Sequence, residues 1–313
     1  MTAKAIVIAG PTAVGKSDLG LQLAHQFDGE IISGDSMQIY RHLDIGTAKI
    51  MPAEQQGIPH HLLDICEVDQ RYTVYEFQQE AQKLIGEINR RQRVPIVVGG
   101  TGFYLNALIN NLQLGGVASR DPEFGVRQHF EQLLQTRGAQ YLWQLLNQVD
   151  PLAAQQINSA NTRRVIRALE VVQLTGQKFS QQSQTQPAID FLVLTLNTKR
   201  SVLYQRINQR VDVMLQQGLQ KEAEDLYQQR DQVPQAAQGI GYKEWFAYFE
   251  QQQSYADTIA LIKRNSRRFA KRQLTYFKNQ LTSQWYDLIA EPQQQLLIQQ
   301  VIHHFLEEDY ELV

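Results

Sequence analysis

The sequence predicts an α/β fold in which a parallel sheet is interrupted by an all-helical insertion and followed by a helical C-terminal region. Three observations support this prediction. Short apolar runs rich in β-branched residues alternate with amphipathic segments over residues 4–111, which is typical of parallel strands joined by crossover helices. Residues 121–175 then contain only amphipathic helical patterns, before a strand-like run returns at residues 188–194. From residue 199 onward the pattern is mostly helical.

Length and composition narrow the class of protein. The chain has 313 residues, and we expect an α/β core at 1–117 and 186–313 with a helical insertion at 118–185. The formal net charge is −2, so any attraction for nucleic acid must come from a local patch. The single cysteine, Cys66, excludes an internal disulfide and a cysteine-rich zinc site. No apolar run approaches ~20 residues, and the first strand leaves no room for a signal peptide, so we expect a cytoplasmic protein.

The first strand-like run is followed by a glycine-rich segment and then by a helical pattern. The segment matches the phosphate-binding pattern G-x-x-x-x-G-K-[ST] at every fixed position. Glycines allow close backbone approach, inward N–H groups form an anion nest, and the helix N-terminus favours a phosphate. Lys16 adds a full charge, and the Ser17 hydroxyl is placed to hold Mg²⁺. These features predict a P-loop NTPase-like core without saying which phosphate it binds. The segment comprises Gly10, Pro11, Thr12, Ala13, Val14, Gly15, Lys16 and Ser17.

A second strand is predicted at residues 30–33, and it ends directly before Gly34 and Asp35. Ligand groups cluster at the carboxyl ends of strands in parallel sheets. Asp35 is therefore placed to face the phosphate site. Aspartates also commonly cap helices or stabilise turns, and position alone leaves both interpretations open.

The next buried strand, residues 95–98, ends in a Gly-Gly-Thr-Gly segment. P-loop enzymes that hydrolyse nucleotides usually carry a Mg²⁺-binding aspartate at this point. Here the phosphate partner would instead be the hydroxyl of Thr101. The same hydroxyl could cap the helix predicted at residues 102–111, and the two roles can coexist.

Two further features lie between these strands. Residues 73–92 have the apolar spacing of a helix, and Thr73 with Glu76 fits a capping box. His60 and His61 lie on a predicted connecting segment. They could be ligands or phosphate contacts, but no third ligand at matching spacing is seen. We therefore favour a packed, hydrogen-bonded loop.

The most basic segment, residues 262–277, also has helical spacing. Its positive side chains form two neighbouring i, i+4 rows with no acidic residue interleaved. These charges repel one another, and a polyanion would remove the repulsion, so we favour a nucleic acid or another polyanion over a solvated face. The rows are Lys263, Arg267 and Lys271, and Arg264, Arg268 and Arg272, while Arg163, Arg164 and Arg167 form a smaller patch on the insertion.

Eight segments along nearly the whole chain form an ordered set: GPTAVGKS (10–17), DSMQIYR (35–41), DIGTAK (44–49), PHHLLD (59–64), VGGTGFY (98–104), RINQRV (206–211), GIGYKE (239–244) and RRFAKRQLTYF (267–277). Beyond the phosphate loop no single segment is specific, but the ordered set is. Taken together, these segments resemble the bacterial tRNA dimethylallyltransferases.

The resemblance implies that the loop binds dimethylallyl diphosphate and not a nucleotide. The dimethylallyl group would be transferred to the exocyclic amine of the adenosine 3′ of the anticodon, after that base leaves its stack. Lys16, Arg210 and Mg²⁺ held with Ser17 would neutralise the diphosphate, and Thr101 would donate to it. Asp35 would be the general base, kept ionised by Mg²⁺ and Lys16.

The resemblance and the basic row also indicate where tRNA binds. The insertion would clasp the anticodon stem as a mobile lid, and we expect the protein to be a monomer. The family commonly has an arginine where Gly125 stands, and Arg127 could replace it. The family often has alanine at position 239, a change expected to be mild. The predicted tRNA contacts are Asp35, Ser36, Met37, Gln38, Thr101, Arg127, Asn161, Thr162, Arg163, Arg164, Val165, Gly239, Ile240, Gly241, Tyr242, Lys263, Arg267 and Lys271.

Two alternatives remain. A small-molecule kinase using ATP at the loop would need an acidic Mg²⁺ ligand after Val98, which is missing. A non-catalytic P-loop RNA-binding protein would bind tRNA through the basic helix and form no product. Loss of Asp35 or Thr101 would not change its RNA affinity.

Overall fold

A computed structural model describes residues 2–112, 114, 122–181, 189–233 and 235–307. It divides the chain into two compact units. The core unit comprises Met1–Ile109 and Pro187–Val313, and the insertion unit comprises Asn110–Gln186. The boundaries expected from the sequence, at residues 118 and 185, lie outside the described residues.

The described part of the core unit contains one six-stranded sheet in which every pairing is parallel. The strand order is β3-β2-β4-β1-β5-β6, so the strand before the phosphate loop lies at the centre. The strands are β1 (Ala3–Ala9), β2 (Gly29–Ser33), β3 (His60–His61), β4 (Val94–Gly99), β5 (Ile189–Leu196) and β6 (Gln284–Tyr286).

The two edge strands correct the sequence analysis. His60 and His61 were predicted to lie in a loop, but they pair with Ile31 and Ile32 as β3. Their side chains are hydrogen-bonded as expected: His60 Nδ1 lies 2.8 Å from the Ile58 carbonyl, and His61 Nε2 lies 2.7 Å from Glu30 Oε2. β6 was not predicted either. Strands of two or three residues are too short to show an alternating pattern.

Helices cover both faces of the sheet. The capping box at Thr73 is present at the start of the second helix, and a short helix after residue 150 was not predicted. The described helices are α1 (Lys16–Gln26), α2 (Val74–Arg90), α3 (Gly102–Ile109), α4 (Pro122–Arg137), α5 (Ala139–Val149), α6 (Pro151–Gln156), α7 (Thr162–Thr175), α8 (Arg200–Gln217), α9 (Leu219–Gln228), α10 (Phe246–Phe249), α11 (Tyr255–Gln280) and α12 (Gln294–Glu307).

Alternate residues of the central strand enter two separate hydrophobic cores. Ala5 and Val7 lie in one core with buried side chains of α2 and α3. Ile6 and Ile8 lie in the other core with buried side chains of α1 and α12. Burial on both faces explains why these strands are continuous apolar runs. The insertion unit has its own core, formed by apolar side chains of α4, α5, α6 and α7.

One buried lysine joins the two motifs that precede α2. The Lys49 ammonium donates to the Tyr40 carbonyl (2.7 Å) and to carboxylate oxygens of Asp44 and Asp64 (2.6 Å each). Its side chain is 2% exposed, whereas both carboxylates are partly exposed. The DIGTAK and PHHLLD segments therefore form one ion-paired structure beside the sheet.

We expect Lys49→Met to lower the free energy of unfolding by about 1–3 kcal/mol, because the buried Tyr40 carbonyl loses its donor. The loss is smaller than for a fully buried ion pair, since water can reach both carboxylates that remain. Urea unfolding measures it. Lys221→Met is the matched control, because Lys221 forms an exposed pair with Asp225. Equal changes in the two variants would contradict this prediction.

Candidate active site

The phosphate loop runs from the carboxyl end of β1 into the first turn of α1. Gly15 precedes the helix with φ 102°, a left-handed conformation that favours glycine. The Lys16 ammonium reaches back across the loop and donates to the Pro11 carbonyl at 2.8 Å. The Ser17 side chain is exposed at the helix N-terminus. The loop therefore has the strand–turn–helix geometry expected of a phosphate cradle.

Lys16 lies in a strongly perturbed environment. Burial lowers its pKa to about 8, and the Arg210 guanidinium acts in the same direction, whereas Asp35 opposes the shift. Positive charge is thus concentrated at the loop, with Asp35 as an acidic neighbour of Lys16. A bound diphosphate would relieve this unfavourable arrangement.

Two arginines of α8 reach the same loop. Arg206 donates through Nε to the Ala13 carbonyl at 2.8 Å, and Arg210 Nη1 lies 3.4 Å from Thr12 Oγ1. Burial, followed by the Arg206 charge, lowers the pKa of Arg210. The i, i+4 spacing places both side chains on one face of α8. Arg210 therefore lies where the sequence analysis expected it, and Arg206 is an additional contact.

The predicted base and hydroxyl lie together where β2 and β4 end. Asp35 Oδ1 accepts from the Met37 backbone N–H at 2.9 Å. Thr101 Oγ1 accepts from the Ser36 N–H at 3.0 Å and donates to Ser36 Oγ at 3.2 Å. The Thr101 hydroxyl thus contacts the Asp35 turn, and the carbonyl of Thr101 accepts from the first turn of α3.

The pKa of Asp35 is raised, mainly by burial, against the effects of the Met37 N–H and of Lys16. The sequence argument considered only the nearby cations. Burial acts in the opposite direction and is the larger effect. The proximity to Lys16 nevertheless places a carboxylate beside the phosphate loop.

Several predicted tRNA contacts have structural roles within the protein. Tyr242 is fully buried and donates to Glu222 Oε1 at 2.6 Å, and Val165 is fully buried in the insertion core. Neither side chain is accessible in this structure, so both assignments are corrected. Gln38 accepts from Ser33 Oγ and donates to the Thr47 carbonyl. Sequence resemblance does not distinguish a motif residue that supports a surface from one that forms it.

Arg127 is held inside the insertion unit. Its guanidinium lies 3.0 Å from Glu131 Oε1 and 3.4 Å from the buried Glu170 carboxylate. Asn161 caps α7 by accepting from the Arg164 N–H, and Thr162 is half-buried. Arg163 and Arg164 are exposed.

The basic helix α11 presents a different row from the one predicted. Lys263 pairs with Asp212 at 2.5 Å, and Arg267 donates to Asn208 at 2.7 Å, so both side chains are engaged by α8. Lys271 remains exposed. The exposed row is Arg264, Arg268 and Arg272. A groove of about 590 Å³ is lined by Arg268, Lys271, Arg272, Thr275, Tyr276, Asn279 and Gln280.

The GIGYKE segment contacts α11 through Glu244 Oε1, which accepts from Asn265 Nδ2 at 2.8 Å. Gly239 and Gly241 are buried, and Ile240 is half-buried. A Cβ at position 239 would lie 2.7 Å from Met37 Cε and 2.8 Å from the buried Tyr242 ring. Alanine there requires both side chains to shift, so the change is less mild than the sequence analysis expected.

Sequence reasoning missed two polar side chains of the core unit. Glu222 accepts from the backbone N–H groups of residues 44–46 and from Tyr242. Gln273 accepts from the Thr12 N–H and donates to the Gly100 carbonyl. The sequence could have identified Gln273 by its spacing, because it is a polar residue on the buried stripe of α11 with Ile262, Ala270 and Phe277.

The parallel sheet and the loop define an α/β protein of the P-loop type, with a carboxylate and two arginines beside its phosphate site. A family model for IPP transferase matches residues 38–280. The chain belongs to the IPP transferase family, as the sequence resemblance indicated. This membership favours neither the kinase nor the non-catalytic RNA-binding alternative.

Individual relatives agree with the family match. The tRNA dimethylallyltransferase of Lacticaseibacillus casei is 54% identical over 303 residues, 97% of each chain. The solved tRNA isopentenylpyrophosphate transferase of Bacillus halodurans is 42% identical over 99% of each chain, with a TM-score of 0.71. A eukaryotic dimethylallyltransferase solved while acting on tRNA is 31% identical, with a TM-score of 0.81, over 97% of this chain and 80% of that one.

No helix in the described ranges is long and apolar enough to cross a membrane. Those ranges also contain no group of three or more His, Cys, Asp or Glu residues arranged to hold a metal ion.

Proposed function

We propose that this chain transfers the dimethylallyl group of dimethylallyl diphosphate to the exocyclic amine of the adenosine 3′ of the anticodon, position 37 of tRNA, giving isopentenyladenosine. The observation that carries the proposal is the placement of Asp35 beside the phosphate loop, within electrostatic reach of Lys16. The phosphate loop and a carboxylate thus lie at the same edge of the sheet, which supports the assignment of Asp35 as the base. The names of the relatives support the same reaction.

The leaving group is the diphosphate. Its negative charge rises as the bond between carbon and oxygen breaks, so cations fixed in the loop stabilise the transition state more than the substrate. Lys16 and Arg210 supply that charge, and the loop N–H groups at the start of α1 add to it. Thr101 would donate to the same group after its hydroxyl hydrogen turns away from Ser36.

Mg²⁺ fits this site as a partner of the substrate and not as an ion held by the protein alone. It usually takes one or two protein ligands and completes its shell with phosphate oxygens and water. The exposed Ser17 hydroxyl at the start of α1 is suited to be such a ligand. When bound, the ion would add positive charge at the leaving diphosphate.

The attacking amine needs a base. A bond forms between the adenine nitrogen and the first carbon of the dimethylallyl group while the carbon–oxygen bond to diphosphate breaks. The nitrogen then loses a proton to the Asp35 carboxylate. Burial raises the pKa of Asp35, and a carboxylate with a raised pKa is a stronger general base. The hydrogen bond from the Met37 N–H fixes the orientation of the carboxylate.

Exposed cations provide surfaces for tRNA. On α11 these are Arg264, Arg268, Lys271 and Arg272, and on the insertion unit Arg163 and Arg164. Phosphate contacts of this kind position the RNA without reading its sequence. We propose that the insertion unit binds the anticodon stem and that the protein acts as a cytoplasmic monomer.

The direct test is mass analysis of tRNA after incubation with the protein, dimethylallyl diphosphate and Mg²⁺, without ATP. We expect the gain of one dimethylallyl group on an anticodon-loop adenosine. A kinase would require ATP and would leave the tRNA mass unchanged. An RNA-binding module would retain tRNA and form no product, and either result would overturn the proposal.

We expect the affinity for dimethylallyl diphosphate to fall as the pH rises above about 8. The pKa of Lys16 is lowered to about 8, so the side chain is charged below that pH and neutral above it. The dissociation constant should then rise about tenfold per pH unit. Calorimetry measures it. Lys16→Met should bind weakly at every pH, and an equal break near pH 8 in that variant would assign the break to another group.

A further inference from the structure

We propose that Gln273 is a positioning residue that holds the phosphate loop and the Gly-Gly-Thr turn in the arrangement needed for transfer. The proposal rests on the function proposed above. Gln273 lies on the buried face of α11 and is 6% exposed. It is far in sequence from both segments that it joins.

One side-chain amide links the ends of two neighbouring strands. Gln273 Oε1 accepts from the Thr12 N–H at 3.0 Å, and Gln273 Nε2 donates to the Gly100 carbonyl at 2.8 Å. A backbone N–H can only donate and a carbonyl can only accept, so the orientation of the amide is unambiguous. Thr12 follows β1 and Gly100 follows β4, and these strands are paired.

The glycines of the turn make room for α11. A Cβ at Gly100 would lie 2.5 Å from Gln273 Nε2, and one at Gly102 would lie 2.5 Å from the Tyr276 ring. The Tyr276 hydroxyl is also hydrogen-bonded to Asn106 Nδ2 at 3.1 Å. These two glycines of the Gly-Gly-Thr-Gly segment are thus needed for close packing of α11.

The two segments joined by Gln273 carry different groups of the proposed reaction. Thr12 Oγ1 lies 3.4 Å from Arg210, on the diphosphate side. Gly100 precedes Thr101, whose hydroxyl holds the turn that carries Asp35. A small displacement of either segment misaligns reacting groups, and misplacement of about 1 Å can lower a rate about a hundredfold. Gln273 therefore acts through the two segments and not by contact with the substrate.

The test compares Gln273→Met with Gln216→Met, an exposed glutamine on a helix of the same unit. Methionine keeps the length but pairs with neither backbone group. We expect kcat for prenyl transfer to fall about tenfold to a hundredfold, with the KM for tRNA within about twofold of the control. Equal kcat values in the two folded variants would overturn the proposal.

Gln273→Glu supplies a signature that loss of packing would not give. Glutamate can still accept from the Thr12 N–H but cannot donate to the Gly100 carbonyl. Its charge near Lys16 should raise the lysine pKa above the wild-type value of about 8. The fall in diphosphate affinity should therefore begin at a higher pH than in the wild type. An unchanged pH profile would count against the assigned position of the amide.

Gly100→Ala keeps the proposal testable if Gln273→Met does not fold, because the new Cβ displaces the amide without removing it. We expect the same loss of kcat, and wild-type kcat would overturn the proposal. Inorganic pyrophosphate binding separates the two hypotheses. If the wild type forms no prenylated tRNA, the proposed function fails. Weaker pyrophosphate binding by Gln273→Met than by Gln216→Met would then still support the positioning role, and equal binding would refute it.

Discussion

We expect Asp35→Asn to lower the single-turnover rate of prenyl transfer by at least about a hundredfold, the usual contribution of a general base. The amide cannot take the proton that the adenine nitrogen must lose. In the wild type the Met37 N–H donates to Asp35 Oδ1 at 2.9 Å. The amide oxygen of asparagine can accept the same hydrogen bond, so the turn should keep its shape. The loss would therefore report on proton transfer and not on folding.

The control for this variant is Asp231→Asn, which changes an exposed aspartate in the same unit. Rapid-quench assays with dimethylallyl diphosphate and tRNA measure the rate, and calorimetry checks that both ligands still bind. Asp35 opposes the lowering of the Lys16 pKa, so its removal should also move the pH break of diphosphate binding below 8. A rate within about threefold of wild type would remove Asp35 from the role of base.

Lys16→Met should lower kcat/KM for dimethylallyl diphosphate by about 10²- to 10³-fold, the loss typical for one preorganised donor to a developing anion. Lys16 is the cation at the base of the loop, and its ammonium reaches the Pro11 carbonyl at 2.8 Å. Lys83→Met, at an exposed position of α2, is the matched control. Equal values for the two variants would show that the loop does not hold the diphosphate.

Lys16→Met should lose activity but should be at least as stable as the wild type. The pKa of Lys16 is lowered from 10.5 to about 8, so folding disfavours its charged form. The unfolded chain binds more protons between these values, and this group therefore makes the wild type more stable as the pH rises from about 8 toward 10.5. Removing the charge at pH 7 should leave the free energy of unfolding equal or higher. A destabilised variant would contradict this account.

The local features of the site could be predicted because they depend on neighbouring residues. The loop needs a strand, two glycines and a helix start, all within residues 4–27. Asp35 and Thr101 follow from the rule that parallel strands end at one edge of a sheet. Their contact through Ser36 could not be predicted, since it joins segments 65 residues apart.

The errors have the same origin. The charge pattern of α11 indicated a row containing Lys263 and Arg267 as the RNA surface. Asp212 and Asn208 of α8 engage these two side chains, and no local pattern shows that pairing. Tyr242, in the GIGYKE segment, and Val165 were both predicted to contact tRNA, yet their side chains lie in hydrophobic cores. A motif identifies a segment, but packing decides which of its side chains face solvent.

The sequence by itself determined the parallel α/β core, the phosphate loop and the family, because short-range spacing and the order of motifs carry that information. Only the tertiary structure decided which arginine row of α11 is exposed, how burial alters the pKa of Lys16 and Asp35, and that Gln273 joins two strand ends. These properties depend on desolvation and on hydrogen bonds between residues distant in sequence. Neither exists until the helices are packed against the sheet.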